Sequence, residues 1–513
     1  MKSYIVGSIG SSEIFGEISF IQVRGATASV VAESDDVQVV IIEGYYIKRL
    51  MEIYPSLAGR FLLFICSILQ RRVNTKIRFE DQDELRVVDL ISEPLHHNLI
   101  KLPVLPPTSL TAIKIYNGPN TDEATELQNF RDNSTDGYAA TSISTYPQRN
   151  SKTVDANGQE QSIIKRDGNP ICDQFSIQIY PSRLILAIAD GCNWGEAPKN
   201  AARAAVNGFT RYLSKHQIEI RDIQYAGGLV LRGLSMANAE IFVGLDPEKQ
   251  VIGTTTFLGG IVLPIGFQRD LKSSLDKYEI QNAVSPGSAV PSPPANSLLD
   301  SSYAFVYVSL GDCKAFHWNS LNGKFSDITA SNRINSLSAS DCGGRLGPHE
   351  QNNLPDLRNL ELGFFPCHTG DCIILVSDGV HDNLDLDHLG LTPGKLGIPY
   401  PDWESIPPEQ FQLFKNDYRV YLLQKIITSP DTISHDELYY SYASSNRKAE
   451  RATKLPPAPV IVSRLLKYCE RTSAAAVKWM VENPHDKLPS DYVLYPGKMD
   501  HTTCLCTFIP NLR

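Results

Sequence analysis

At 513 residues the chain is long enough for two or three domains and at least one large core. Its 42% hydrophobic and 20% charged residues are typical of a soluble globular protein, and its net charge of −9 gives no electrostatic basis for binding nucleic acid or an anionic membrane. The ten cysteines form no CxxC pair, the N-terminus has no signal-peptide core, and the longest apolar run, at 61–69, is too short to span a bilayer. We therefore predict a cytoplasmic protein with reduced thiols, and a nuclear location stays open.

Residues 1–75 have the pattern of a small unit in which strands are followed by helices. FGEISFI, ATASVVA and the β-branched run VQVVIIEG are typical of strands, and apolar residues then recur at helical spacing from 45 to 73. From 76 to 160 the sequence is polar, rich in Pro, Asn, Ser and Thr, and only weakly periodic. We predict a low-complexity linker there.

A second globular unit is predicted from 161 to 513. Its strand and helix patterns do not alternate regularly, which favours antiparallel strands with helices packed outside them. Two insertions are predicted in it, one rich in Pro and Ser near 268–301 and a longer one near 386–455. The stretch at 411–428 has a helical pattern, and the stretch at 459–484 is predicted as an amphipathic helix.

Four short apolar strands of this second unit each meet an aspartate at one end. The aspartates are Asp190, Asp312, Asp378 and Asp500, and a glycine lies beside three of them. One interpretation is that Asp and Gly simply form good turns after strands. The other is that strands hold the carboxylates rigidly around a cleft, where converging oxygen ligands suit Mg²⁺ or Mn²⁺. Four such ends together favour a metal site.

The residues around these aspartates form ordered motifs that resemble those of the PPM-type (type 2C) metal-dependent protein serine/threonine phosphatases. ADGCNWG is similar to the family's Asp-Gly-His-Gly-Gly turn, GTTTFLGGIVL to its Gly-Ser/Thr-Thr-Ala strand, and VYVSLGDCKAFHW to its Gly-Asp-Ser-Arg hairpin. GDCIILVSDGVHDNL and GKMDHTTCLCTFI are similar to the last two motifs of the family. The resemblance implies an α+β fold in which two antiparallel sheets are sandwiched between helix pairs.

The same resemblance implies which residues bind metal. Asp190 would bridge two Mg²⁺ or Mn²⁺ ions, the Gly191 carbonyl would complete one coordination shell, and Asp378 and Asp500 would bind the first ion. Asp173 corresponds to the second residue of the family's N-terminal acidic pair, and Asp312 to the aspartate of a third metal. Two hard cations neutralise the phosphoryl oxygens and activate a bridging water as the nucleophile.

The chain departs from the family pattern at positions that matter for catalysis. Cys192 stands where the family has a histidine that protonates the leaving group, and losing a general acid typically costs about 10²–10⁴-fold in rate. Cys172 replaces the first residue of the acidic pair, and His501 replaces the Asn or Asp that follows the last ligand. Arg166, seven residues before Asp173, lies out of register with the phosphate-binding arginine. Asp190 and Cys192 are therefore the candidate catalytic residues.

The N-terminal segment resembles the later half of a cyclic-nucleotide-binding domain, that is, a partial β-roll with C-terminal helices. Glu17, after Phe-Gly, corresponds to the ribose-binding glutamate. Ala26 lies near the place of the phosphate-binding arginine, and Arg24 is out of register. The leading strands of the β-roll are missing before Met1, and an incomplete β-roll would have open edges. We expect a degenerate module that does not bind a cyclic nucleotide.

These features together predict a metal-dependent phosphatase that hydrolyses phosphoserine and phosphothreonine in a phosphoprotein substrate. The alternative is a pseudophosphatase, in which the same fold serves as a binding or scaffold protein. A third possibility is a cyclic-nucleotide-regulated protein whose C-terminal unit is the output. We expect neither nucleic acid nor membrane as a partner.

Overall fold

Thirteen strands and five α-helices make up the described part of the computed structural model, which comprises residues 102–119, 137–154, 160–245, 250–265, 303–330, 342–348, 354–429 and 454–509. All of these residues belong to one unit of the chain. The predicted N-terminal module at 1–75, with its partial β-roll, and the predicted insertion at 268–301 lie outside the described residues.

In chain order the strands are β1 (Lys114–Gly118), β2 (Tyr138–Ser144), β3 (Gln148–Val154), β4 (Glu160–Arg166), β5 (Gln174–Ile179), β6 (Leu184–Ala189), β7 (Phe257–Pro264), β8 (Tyr303–Leu310), β9 (Lys314–Trp318), β10 (Phe325–Asp327), β11 (Glu361–Cys367), β12 (Cys372–Val376) and β13 (His501–Phe508). The helices are α1 (Glu196–His216), α2 (Ile223–Ile241), the single turn α3 (Asp378–His381), α4 (Pro408–Thr428) and α5 (Ala458–Glu482).

Two sheets form the centre of the fold. The larger has the strand order β1-β5-β6-β7-β8-β11 and the smaller the order β10-β9-β12-β13-β2, and β3 pairs with β4 in a separate hairpin. Neighbouring strands are antiparallel in all three. The central strands, such as β6 with the sequence LILAIA, are buried along their whole length. Their apolar residues do not alternate with polar ones because both faces of each sheet are covered.

The facing surfaces of the two sheets enclose one hydrophobic core. Leu186 of β6 and Phe305 of β8 meet Leu375 of β12 and Leu505 of β13 there, and all four are fully buried. This arrangement is a β-sandwich, in which the side chains of both inner faces interdigitate.

Helix pairs cover the outer faces of both sheets. On the larger sheet, Phe209 of α1 lies so close to Gly259 of β7 that a Cβ at that glycine would come within 2.9 Å of the ring. On the smaller sheet, Ile374 of β12 belongs to a second core with Leu422 of α4 and Leu465 of α5. The predicted α+β fold of two antiparallel sheets between helix pairs is therefore confirmed, and so are the two predicted helices that correspond to α4 and α5.

The predicted linker requires correction, because β1, β2 and β3 lie within 76–160. β2 is polar in sequence (YAATSIS) yet almost entirely buried. Its hydroxyl groups are bonded within the fold, since Ser142 Oγ lies 2.7 Å from Thr503 Oγ1 of the neighbouring strand. Small hydroxyl residues that satisfy one another in this way are compatible with a buried strand. The sandwich therefore begins well before residue 161.

None of the helices in the described part of the chain combines the length and the apolar character that crossing a membrane would require.

Candidate active site

The larger sheet places two of the predicted aspartates side by side. Gln174, the first residue of β5, pairs with Ala189, the last residue of β6. Asp173 and Asp190 follow directly beyond this pair on their two strands, and antiparallel neighbours in register lie about 5 Å apart. The Asp190 carbonyl is held by the Thr256 N–H at 2.8 Å and by the Thr255 hydroxyl at 2.8 Å.

The smaller sheet brings the other two metal-binding candidates together in the same manner. Val376 of β12 pairs with Cys504 of β13, so Asp378 at the start of α3 lies near Asp500 at the start of β13. The backbone at Gly379 lies so close to the backbone at His501 that there is no space for a side chain. A Cβ at Gly379 would come within 2.3 Å of the His501 carbonyl oxygen. A glycine after Asp378 is thus a packing requirement.

The carboxylates of the two sheets lie close enough to act on one another electrostatically. Burial raises the pKa of Asp190 well above its ordinary value, and three neighbouring carboxylates, those of Asp378, Asp173 and Asp500, raise it further. Burial also raises the pKa of Asp500, to about 7, against the opposing charge of Lys498. Like charges close together favour the protonated form. The structure therefore brings together Asp173, Asp190, Asp378 and Asp500.

Asp173 is the most deeply buried of these side chains, with no exposed surface. Neither of its carboxylate oxygens has a hydrogen-bond partner among the described residues. Burial raises the pKa of Asp173, and the hydroxyl groups of Thr503 and Ser377 act in the opposite direction. A fully buried carboxylate with so little compensation is costly, and a bound cation is one way to compensate it. Asp173 with its neighbour Asp190 is therefore suited to hold a divalent ion.

Asp312 lies at the same end of the sandwich, in the tight turn between β8 and β9. Gly311 before it has a φ of 98°, and a Cβ there would clash with Thr256. Burial raises the pKa of the Cys313 thiol, and the carboxylates of Asp312, Asp173 and Asp378 all raise it further. This thiol thus adjoins both Asp312 and the carboxylate cluster.

Two charged residues at the site had not been predicted from the sequence. The ammonium of Lys498 contacts the Asp378 carboxylate and lies 2.9 Å from Oδ2 of Asp500. It also lies 3.2 Å from Oδ2 of the fully buried Asp382. Asp382 follows Asp378 by four residues, which is the spacing that puts two side chains on one face of a helical turn. Lys498 gave no comparable signal, since a lone lysine before a strand is usually exposed.

Only part of the carboxylate cluster offers ligands that suit a metal ion. In the part of the chain that the structure describes, no three side chains of the types His, Cys, Asp or Glu are arranged so that they could hold a metal ion together. Lys498 accounts for this on one side, because its ammonium lies between Asp378, Asp382 and Asp500. The donor set at Asp173 and Asp190 fits a hard cation, and the set around Lys498 does not.

Cys192 and Gly191 lie in the turn that follows β6. Gly191 packs against the next helix so closely that a Cβ would come within 2.7 Å of the Pro198 carbonyl oxygen. The Cys192 N–H donates to the Thr254 carbonyl at 2.9 Å. A hydrogen bond with Cys342, together with burial, raises the pKa of the Cys192 thiol well above its ordinary value. The thiol therefore keeps its proton at neutral pH.

The other departures from the family pattern have structural roles here. His501 accepts the Cys172 N–H on Nδ1 at 3.3 Å, and its Nε2 lies 2.8 Å from the Gly168 carbonyl, to which it donates. This pair of bonds and burial, which lowers the pKa of His501, favour a neutral ring. Arg166 donates through Nη1 to the carbonyls of Ser144, at 3.0 Å, and Tyr146, at 2.6 Å.

One wall of the site is aromatic. The Tyr146 hydroxyl donates to Oδ1 of Asp500 at 3.3 Å, and the Trp194 ring packs edge-on against Tyr146 with 4.9 Å between centroids. Trp194 remains 54% exposed. It lies in the same turn as Cys192, two residues further along the chain.

Different parts of the chain are similar to different known proteins. No protein-family model matches the sequence. Over 219 residues the chain is 28% identical to the PP2C-like domain-containing protein CG9801 of Drosophila melanogaster. The aligned region covers 42% of this chain and 26% of the relative. A short N-terminal segment of 72 residues is 39% identical to cyclic GMP-binding protein D of Dictyostelium discoideum, or 14% of this chain and 6% of that protein.

Among solved structures, the Mycobacterium tuberculosis serine/threonine phosphatase PstP/Ppp aligns with 72% of this chain and 97% of its own, at 13% identity and a TM-score of 0.31. The chain spans about a quarter or less of the length of the curated relatives it matches. The predicted resemblance is nevertheless confirmed: the chain is similar to a PP2C-like domain-containing protein, and its N-terminal segment is similar to cyclic-GMP-binding proteins.

Proposed function

We propose that the two-sheet unit is a divalent-cation-dependent phosphatase that acts slowly on phosphoserine and phosphothreonine in proteins. The observation that carries the proposal is the convergence of four aspartates from both sheets: Asp173 and Asp190 adjoin a paired position of the larger sheet, and Asp378 and Asp500 contact one ammonium group. These residues are separated by up to 327 positions, the difference between 500 and 173, and only the fold brings them together. Such a concentration of carboxylates costs stability, which a functional site accounts for.

Asp173 and Asp190 are the residues that would hold Mg²⁺ or Mn²⁺. A bound divalent ion lowers the pKa of water and neutralises charge on a phosphoryl group. The rigid turn at Asp190, held through its carbonyl by Thr255 and Thr256, keeps this carboxylate in place. Trp194 and Tyr146, whose rings pack edge-on, would form one wall beside a bound phosphopeptide.

Cys192 limits the reaction. Protonation of the departing serine oxygen needs a donor in the turn after Asp190, and the thiol there has a pKa well above its ordinary value. A neutral thiol is a weak hydrogen-bond donor and a poor general acid. We therefore expect slow turnover of phosphoserine and faster turnover of aryl phosphates, whose leaving groups need no proton.

A second candidate function is a pseudophosphatase that binds phosphoproteins without hydrolysing them. The triple ion pair of Lys498 favours this alternative, because it occupies carboxylates on which a second ion would depend. An ammonium group at this position can itself attract a phosphate.

Hydrolysis of a phosphothreonine peptide and of p-nitrophenyl phosphate by the full chain, with and without Mn²⁺, tests the proposal. Asp190→Asn should abolish Mn²⁺-dependent turnover, whereas Asp402→Asn, in an exposed loop, should leave it unchanged. Turnover that persists in Asp190→Asn would contradict the proposal. Binding of the phosphopeptide, measured by fluorescence anisotropy, without turnover of either substrate would support the pseudophosphatase.

A further inference from the structure

The ammonium group of Lys498 lies among the carboxylates of Asp378, Asp382 and Asp500 and supplies a positive charge to this half of the site. The Lys498 side chain is 24% exposed, and the three carboxylates around its ammonium are exposed by 14% in Asp378, 20% in Asp500 and 0% in Asp382. In such an environment a lysine without partners would lose its charge. Here each of the three carboxylates lies within ion-pair distance of the ammonium and so stabilises its charge.

The backbone of Lys498 is fixed in the position that directs its side chain into the cluster. Asn383, which is fully buried, accepts the Lys498 N–H on Oδ1 at 3.0 Å and donates through Nδ2 to the Lys498 carbonyl at 2.9 Å. Gly497 before it has a φ of 87°, and a Cβ there would come within 2.6 Å of the same amide oxygen. The His388 carbonyl accepts the Gly497 N–H at 2.6 Å. The backbone of Lys498 is therefore held rigidly, which fixes the point from which its side chain extends.

An ammonium and a divalent ion cannot share these oxygens. Mg²⁺ coordinates carboxylate oxygens at about 2.0–2.1 Å and tolerates little distortion of its octahedral shell. Lys498 Nζ already lies at hydrogen-bond distance from oxygens of Asp378, Asp382 and Asp500. Lys498 makes no ion pair with Asp173 or Asp190, so these two carboxylates are the remaining oxygen ligands on which a metal ion could depend.

We propose that Lys498 is a built-in cation that takes the place of one divalent ion at Asp378, Asp382 and Asp500, leaving at most one metal ion, at Asp173 and Asp190. The inference rests on the proposed use of metal by this site, but not on turnover. It means that the acidic cluster is partly neutralised before any ion binds, so that the fold does not depend on metal.

Counting bound Mn²⁺ on the full chain tests the inference directly. Titration followed by electron paramagnetic resonance of free Mn²⁺ should give no more than one ion per wild-type chain. Lys498→Ser removes the ammonium and leaves space between the three carboxylates. This variant should therefore bind one additional Mn²⁺ ion, with an affinity for that ion about tenfold or more above that of the wild type. Lys498→Arg, which keeps the charge, should retain the wild-type count, and the exposed Lys487→Ser serves as the matched control.

Thermal unfolding in the presence of a chelator provides a second readout. The wild type and Lys487→Ser should be fully folded in EDTA and should show only the small rise in melting temperature that a single bound Mn²⁺ ion provides. Lys498→Ser and the near-isosteric Lys498→Met should both melt at a lower temperature than the wild type in EDTA, and Lys498→Ser, which leaves space for an ion, should recover when Mn²⁺ is added. Even if both variants fail to fold, the count on the wild-type chain decides the matter.

Two Mn²⁺ ions bound to the wild type, or an unchanged count in a folded Lys498→Ser, would overturn the inference. These outcomes differ from failure of the proposed function. A wild-type chain with one ion and no turnover contradicts only the phosphatase proposal, and one with two ions and turnover contradicts only the role of Lys498.

Discussion

Arg419 of α4 donates through Nη2 to Oδ2 of Asp385 at 2.8 Å, and both side chains are almost completely buried. This pair connects α4 to the segment that follows α3, close behind Asp382. Lys415 supplies a second positive charge to Asp385, at 3.2 Å. A buried ion pair with this geometry contributes to stability chiefly because either partner alone would be an uncompensated charge.

Replacing Arg419 should therefore destabilise the fold strongly. In Arg419→Met the stem of the side chain is retained while Asp385 loses its closest partner, and such changes cost about 3–5 kcal/mol. Urea unfolding of the full chain at pH 7 measures the loss. The double variant Arg419→Met/Asp385→Asn should recover part of it, and a single variant as stable as the wild type would show that the pair has no such role.

The stability of the wild type should also fall in acid. Burial alone would raise the pKa of Asp385, but Lys415 and Arg419 lower it to about 2. Because the folded-state pKa lies below the unfolded value of about 4, this carboxylate contributes about 2 kcal/mol that is complete above pH 4 and is lost as the pH falls toward 2. Unfolding measured from pH 6 to pH 2 should show a smaller decline in Asp385→Asn than in the wild type.

Asp190→Asn should separate function from stability. The carboxylates of Asp378, Asp173 and Asp500 repel that of Asp190, so removing its charge should raise the melting temperature in EDTA by about 2–4 °C. The same change should lower Mn²⁺-dependent turnover by at least about 100-fold. Differential scanning calorimetry measures the first effect. A lower melting temperature would mean that the carboxylate has a stabilising partner.

Cys192→His should raise the turnover of phosphoserine more than that of p-nitrophenyl phosphate. An imidazole can protonate the serine oxygen, whereas the neutral thiol cannot do so effectively, and nitrophenolate needs no proton. The ratio of kcat/KM for the two substrates is the readout. Equal changes for both would place Cys192 away from the leaving group.

The full chain should not bind a cyclic nucleotide in the micromolar range. The N-terminal segment has no arginine in register to pair with the phosphate, and a charge-assisted bidentate contact of that kind contributes substantially to affinity. Calorimetric titration with cyclic GMP and with cyclic AMP is the measurement. The similarity to a cyclic-GMP-binding protein makes cyclic GMP the more stringent test, and a dissociation constant in the micromolar range would contradict the prediction.

The carboxylate cluster could be predicted because its signal is local. Asp190, Asp378 and Asp500 each adjoin a short apolar strand, and a strand end can be recognised without knowing its neighbours. Lys498 could not be predicted in this way, because its partners Asp378 and Asp382 are more than 100 residues distant and its own surroundings resemble an exposed turn. Long-range pairing of charges is a property of the tertiary structure alone.

Antiparallel strands with helices outside them could be predicted from local patterns, whereas the two-sheet sandwich was implied by the family resemblance and the N-terminal limit of the unit was predicted wrongly. The central strands can be recognised in the sequence by unbroken apolar runs such as that of β6. β2 has hydroxyl residues instead, and its burial depends on partners such as Thr503, which lies 361 positions after Ser142. Arg166 illustrates the same difficulty, since sequence spacing excluded one role for it but did not reveal its bonds to Ser144 and Tyr146.

The positions of β1 and β2 decide how this protein can be shortened. β1 forms one edge of the larger sheet, and β2 forms one edge of the smaller sheet beside the strand that begins next to Asp500. Thr145, directly after β2, donates its N–H to the Asp500 carbonyl at 3.0 Å and accepts the Asp500 N–H on its hydroxyl at 2.7 Å. A fragment that starts at residue 161 would expose two new sheet edges, which favour aggregation, and would free the backbone of Asp500. An expression boundary upstream of residue 102 retains both strands.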